Sequence, residues 1–256
     1  MSKHCLSKGT IVFDNPPSIV SYAAVGGKLE KEGPIGEYLL YIPEDYEIEH
    51  DTAENAESLL QRFSLENTLI KGNVTEDDID FLFAGDLLNQ CTASSYSMRN
   101  YDIPFIGLYS ACATFAEGLG LAAVFSSNNP GFLNAVLTSS HYNSAGNQFK
   151  YPGRMDDNRP QTAQHTATAS GCALVGSKEN VSPYIHSVTF GNIIDHGIKD
   201  ANNMGETMAY AAFDTIMKHF EHTNTSTKDY DLIITGDLGE YGSKNCGNCF
   251  YKMAQS

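Results

Sequence analysis

The chain carries few charges, few of them basic, and no long apolar run. Charged residues are 18% of the total, below the about 25% of an ordinary globular domain. With 41% hydrophobic residues, the chain is core-rich rather than disordered. Only 16 lysines and arginines stand against 31 acids, a net charge of -15. A surface of that sign repels phosphate backbones, so no nucleic-acid partner is expected. No window approaches the about 18 uncharged apolar residues of a membrane-spanning helix. Residues 1–9 hold no apolar leader core, so no signal peptide is expected. Cysteine is sparse, at 5, 91, 112, 172, 246 and 249, which is no disulfide framework and fits a reducing compartment. Cys246 and Cys249 form a lone CxxC without a second pair. A zinc site usually needs two more ligands, so no metal site is expected. The 256 residues suffice for one or two domains.

The most informative stretch is Ile103-Pro104-Phe105-Ile106-Gly107-Leu108-Tyr109-Ser110-Ala111-Cys112-Ala113-Thr114. It reads as a strand, a tight turn of small residues and a helix over 113–125, with Cys112 at the helix start. Unpaired N–H groups and the dipole favour negative charge there, and a thiol so placed tends toward thiolate. The alternative is a buried structural cysteine, because free cysteine is among the most buried residue types.

Strands are expected at 10–13 and 18–25, and a loop with aromatic anchors at 28–43. A helix is expected at 52–71, capped by Asp51 or Thr52, with Ala53, Ala56, Leu59, Leu60 and Phe63 on one stripe. Residues 79–84 read as a strand buried on both faces, and 91–100 as a short polar linker. A further strand spans 134–141 and a long surface loop 142–164. A strand at 166–176 takes 184–194 as its expected partner. An amphipathic helix follows at 203–222, then a last strand at 231–238.

Two segments match at an offset of 151 residues. Asp80-Phe-Leu-Phe-Ala-Gly-Asp86-Leu87 and Asp231-Leu-Ile-Ile-Thr-Gly-Asp237-Leu238 both follow an amphipathic helix and an acidic turn. Self-similarity at a domain-sized period indicates two similar halves, not a solenoid. The first copy continues through the Cys112 elbow, whereas only 18 residues follow Leu238. The expected architecture is therefore α/β, a mixed sheet layered with helices, with a complete first half-domain at 1–198. The second repeat begins at 199–243 and is incomplete, and 244–256 is a divergent tail.

These motifs resemble the thiolase and ketoacyl-synthase fold, and within it the stage V sporulation protein AD family of spore-forming Firmicutes. The resemblance rests on Gly33-Pro34-Ile35-Gly36, Ala84-Gly85-Asp86-Leu87-Leu88-Asn89-Gln90, Ala111-Cys112-Ala113-Thr114 and Thr138-Ser139-Ser140-His141. It continues through Gln148-Phe149-Lys150-Tyr151-Pro152, Asn203-Met204-Gly205 and Thr235-Gly236-Asp237-Leu238, in order, to Gly242-Ser243. It implies binding of dipicolinic acid (pyridine-2,6-dicarboxylate) for uptake into the developing spore. The place implied is the periphery of the spore inner membrane, beside membrane proteins of the same operon, and a homodimer is compatible with it. Under this reading Cys112 is a vestigial nucleophile without catalysis.

A dianionic aromatic ring needs donors for its carboxylates and an apolar wall. The candidates are Asp86, Asn89, Cys112, His141, Gln148 and Lys150, with Arg99, Arg154 and Arg159 behind them. Asp86 suits an anion only if calcium travels with the ligand; otherwise it caps a turn. No cofactor is expected apart from that calcium. His141 is equally well read as a hydrogen-bonded core histidine, and Arg154 and Arg159 as solvated loop charges. Two alternatives stay open. One is thiol acyl transfer by Cys112, with His141 the only first-half histidine ending a strand near the elbow. The other is a structural subunit without ligand.

Overall fold

The computed structural model describes residues 5–41, 52–149, 166–178, 181–200 and 203–253. They fall into two units that do not follow the expected division at 198 and 243. One gathers residues 15–149, 166–178 and 181–186, and the other residues 5–14, 187–200 and 203–253.

In chain order the elements are β1 (Cys5–Ser7), β2 (Thr10–Val12), β3 (Ser18–Gly26), α1 (Lys28–Lys31), β4 (Leu40–Tyr41) and α2 (Ala53–Gly72). Next come β5 (Phe81–Gly85), α3 (Thr92–Met98), β6 (Phe105–Leu108), α4 (Thr114–Asn128), β7 (Leu133–Ser140) and α5 (Tyr142–Phe149). The last are β8 (Ala169–Gly176), β9 (Ser187–Thr189), α6 (Met204–Thr223) and α7 (Gly239–Met253).

The larger unit is a mixed sheet in the order β4-β3-β8-β7-β5-β6. β5 runs parallel to both β6 and β7, while β8 runs antiparallel to β7 and β3. Side-chain alternation along β5 serves two cores. Leu82 and Ala84 join Leu65 and Leu69 of α2, Met98 of α3 and Leu137 of β7. Phe83 points the other way, with Leu108, Ala122 of α4 and Val136 of β7. Helices thus cover both faces of the sheet, which is why β5 reads as a continuous apolar run.

In the smaller unit, β2 pairs with β1 and with β9, all antiparallel. α6 and α7 meet around Ala209, Leu238 and Cys246. Gly205 makes this contact, since a Cβ there would fall on the Leu238 carbonyl oxygen.

Several expectations need correction. The 28–43 stretch contains a short helix and a two-residue strand, and Tyr38 is exposed rather than an anchor. The supposed linker at 91–100 is α3, and the supposed loop at 142–164 opens with α5. β8 takes β3 and β7 as partners, whereas β9 within 184–194 pairs with β2. The tail forms α7. No strand forms over 231–238, where Leu232 and Ile234 are 72% and 81% exposed.

The duplication is nonetheless written in the backbone. α2 and α6 are both 20 residues long and end on a left-handed asparagine, Asn73 and Asn224. Capping boxes follow, Thr75 with Asp78 and Ser226 with Asp229. Asp86 Oδ1 then accepts from the Leu88 N–H and Asp237 Oδ1 from the Gly239 N–H, each at 2.8 Å. Every pair is separated by the same 151 residues.

Candidate functional site

The three parallel strands β6, β5 and β7 end on one edge of the sheet, and each releases candidate residues there. In open α/β sheets ligands bind in the crevice outside the carboxyl ends of such strands. β5 leads into Asp86 and Asn89, β6 into Tyr109 and Cys112, and β7 into His141.

Asp86 is fully enclosed. Its Oδ1 accepts from the Leu88 N–H at 2.8 Å, and its Oδ2 accepts from the Ser94 N–H at 2.7 Å and the Ser94 hydroxyl at 2.6 Å. It closes the turn after β5 and caps α3, so it does not face a ligand and does not fit a calcium site. Asn89 is exposed and its Oδ1 accepts from the Tyr109 hydroxyl at 3.1 Å, joining the β5 and β6 ends.

The elbow departs from regular geometry. Ala111 has φ 47°, and Cys112 sits exposed in a single tight turn over Ala111–Ala113 that runs into α4. Thr114 locks it by accepting from the Ser110 N–H at 3.2 Å and donating to the Ala111 carbonyl at 2.8 Å. Gln90 and Cys91 also have positive φ, 61° and 53°. Positive φ at such residues is uncommon and gathers at functional edges. The Cys91 thiol donates to the Leu108 carbonyl at 2.9 Å, binding the β5 turn to β6. Burial, with the Asp86 carboxylate nearby, pushes that thiol's pKa up, so Cys91 is structural. Gly85 is required here, because a Cβ would lie on the Leu108 carbonyl and 2.6 Å from Thr114 Cγ2.

His141 is only 4% exposed. Its Nδ1 accepts from the Asn143 N–H at 3.2 Å, which puts the proton of the neutral ring on Nε2. Burial lowers its pKa, against the pull of the Glu54 and Glu30 carboxylates. The Nε2 donor is buried and, among the described residues, has no hydrogen-bond partner. A buried unsatisfied donor costs about 1–3 kcal/mol, and a ligand carboxylate would relieve it.

Gln148 lies on α5, its side chain outside the described residues, as are Lys150, Arg154 and Arg159. Arg99 follows α3, on the way to the opposite end of β6, with its guanidinium 5.9 Å from the Tyr96 ring centre.

Sequence reasoning missed what lies beneath the edge. Glu57, Gln61, Ser64 and Thr68 of α2 are all fully buried. Ser139 and Ser144 donate to Glu57 at 2.8 and 2.7 Å. The Gln61 amide donates to Ser139 at 2.8 Å and to Ser94 at 2.9 Å, and accepts from Ser97 at 2.6 Å. Ser64 pairs with Ser170 at 2.7 Å. The available signal was the helical spacing of these four polar residues, which equally describes a solvent face.

The family model described as stage V sporulation protein AD matches residues 7–255, past Ser243, where the sequence resemblance stopped. The stage V sporulation protein AD of Bacillus subtilis (strain 168) is 40% identical over 238 residues, 92% of this chain and 70% of that protein. Among solved structures, cerulenin-bound OleA of Xanthomonas campestris is 13% identical with a TM-score of 0.64, covering 94% of this chain and 80% of that one. The 3-oxoacyl-(acyl carrier protein) synthase III FabH of Xanthomonas oryzae is 12% identical with a TM-score of 0.61, covering 94% and 83%. These two likenesses bear on the fold alone, which is thiolase-like.

Proposed function

The chain belongs to the stage V sporulation protein AD family, and from that premise we propose that it binds dipicolinic acid without turning it over, for uptake into the developing spore. The observation that carries this is the Nε2 donor of His141 at the end of β7, buried and unpartnered among the described residues, beside strand ends that present Asn89, Tyr109 and the Cys112 turn. A carboxylate accepts from such a donor, and the Tyr109 ring offers an apolar face. No helix among the described residues is long and apolar enough to cross a membrane. In this reading, attachment at the spore inner membrane runs through membrane proteins of the same operon. A surface of net charge -15 is not drawn to anionic lipid.

Calorimetric titration of the purified protein with dipicolinate, with and without calcium, tests this. Saturable binding is expected. No binding by a folded sample would overturn it and leave a scaffold subunit as the function. The competing reading is acyl transfer at Cys112, favoured by its exposure and by the strained Ala111 before it. Thioester turnover that disappears in Cys112→Ala would establish that instead.

A further inference from the structure

The hydroxyls bracketing His141 both converge on one carboxyl group. Ser139, two residues before it, donates to Glu57 Oε1, and Ser144, three residues after it, donates to Glu57 Oε2. Ser144 has a second acceptor within reach, the His141 carbonyl at 3.1 Å. One hydroxyl proton cannot serve both at once. We propose that Glu57 is a proton-operated latch beneath the His141 turn, a positioning residue that couples ligand binding at His141 to pH. Its relevance to a ligand rests on the binding function proposed above.

The two states follow from donor counting. When ionised, Glu57 accepts from both serines and draws the Ser144 proton away from the His141 carbonyl. When protonated, it donates to Ser144 Oγ, and the Ser144 hydroxyl is released to donate to the His141 carbonyl. That carbonyl keeps the Ala145 N–H, at 3.0 Å, in either state. Protonation therefore adds one bond across the turn that presents His141. Ser139 stays fixed throughout, because the Gln61 amide donates to it at 2.8 Å.

The surroundings favour the protonated state. Glu57 is fully buried, and the carboxylates of Asp86, at the end of β5, and Glu54, on α2 itself, oppose its charge. Burial is the larger cause, and together they push its pKa up to about 7. α3 and α5 carry no carboxylate, lysine, arginine or histidine. The neighbouring imidazole, His141, is held toward its neutral form by burial. A dianion arriving at His141 adds further negative charge, so binding takes up a proton near neutrality. Affinity then falls as pH rises, by up to about tenfold per pH unit above the Glu57 titration.

The test uses the whole chain and two substitutions. Glu57→Gln offers an acceptor oxygen and an amide donor group, cannot ionise, and fixes the protonated pattern. Ser144→Ala removes the shared hydroxyl and leaves Glu57 free to titrate. Three quantities are followed: the Glu57 carboxyl carbon by NMR, the amides of residues 142–144 by NMR, and dipicolinate affinity between about pH 6 and about pH 8.

In the unmodified protein the carboxyl and the amides should titrate together near neutrality. Glu57→Gln should abolish the amide response and flatten the affinity profile. In Ser144→Ala the carboxyl should still titrate while the amides no longer follow it. A Glu57 carbon titrating in the ordinary carboxylate range, or amides unaffected by either substitution, overturns the latch. Dipicolinate binding whose pH dependence survives Glu57→Gln overturns it and leaves the binding function standing. Coupled titration without any dipicolinate binding supports the latch and removes the binding function.

Discussion

Replacing Glu57 by glutamine should change how stability depends on pH, and the sign is fixed by the direction of its pKa. Burial raises that pKa from 4.5 to about 7, against the lowering effect of the Ser144 and Ser139 hydroxyls. The unfolded chain releases this proton at its ordinary value, while the folded chain keeps it until near neutrality. Between the two values the folded state binds more protons, so stability falls as pH rises through the window and the loss is complete above it. A rise of about 2.5 in pKa, at about 1.4 kcal/mol for each, is a loss of about 3 kcal/mol. That is a large part of the about 5–15 kcal/mol that holds an ordinary domain together. Glutamine keeps the shape and does not titrate. Urea unfolding of both proteins from about pH 4.5 to about pH 8 should therefore show a gap that shifts by about 3 kcal/mol against the unmodified chain. Taking the difference cancels the titrating groups that do not interact with Glu57. Curves parallel within about 0.5 kcal/mol would refute the reasoning. A shift of opposite sign would mean that the serine hydroxyls outweigh burial.

Removing Asp86 with alanine should cost about 3 kcal/mol in urea unfolding, since two N–H groups and the Ser94 hydroxyl lose a buried acceptor. The same change removes a carboxylate that opposes Glu57, so the Glu57 titration should move down on NMR. Gly205→Ala should loosen α7, because the added Cβ meets the Leu238 carbonyl. Overpacking of about 1–3 kcal/mol outweighs the gain in helix propensity, and faster hydrogen exchange along α7 would report it. Cys112→Ala should weaken dipicolinate binding in calorimetry while leaving no acyl-transfer activity to lose.

Much of the sheet was legible because β5 and the middle of β7 and β8 are continuous runs of apolar and small residues. β5, β7 and β8 lie between helices, and period-two alternation gives way to continuous runs. α2 showed both its apolar stripe and its cap, and Thr52 fills that cap by accepting from the Asn55 N–H at 3.2 Å. α3 was not legible. Its polar sequence has little helix signal of its own, and it is started by Asp86, a residue that reads equally well as a ligand. Asp86 is a case where type and position pointed to chemistry and the hydrogen bonds assign a structural task. His141 has Nδ1 engaged as in a core histidine, while its Nε2 has no partner among the described residues. Glu57 was hidden because a glutamate on an amphipathic helix is normally solvated, and only tertiary placement shows that its face is the inner one.

The two copies of the repeat separate what a sequence encodes locally from what it encodes only in company. Helix length, the left-handed asparagine, the capping box and the aspartate turn recur at the same offset, and each is closed by hydrogen bonds within a few residues. Such features need no distant partner and so survive duplication intact. The strand does not. Phe81–Gly85 becomes β5 because β6 and β7 occupy both its edges. The matching Leu232, Ile233 and Ile234 are as apolar, yet among the described residues they form no ladder, and their side chains stay exposed. A strand's backbone groups must pair across the chain, and its side chains gain only from faces that other elements cover. An apolar run is therefore permission for a strand rather than a cause of one. The same distinction bears on the candidate site: Asp86 and Asp237 build the same turn, but among the described residues only the first lies between strands that also deliver a cysteine elbow and a buried histidine.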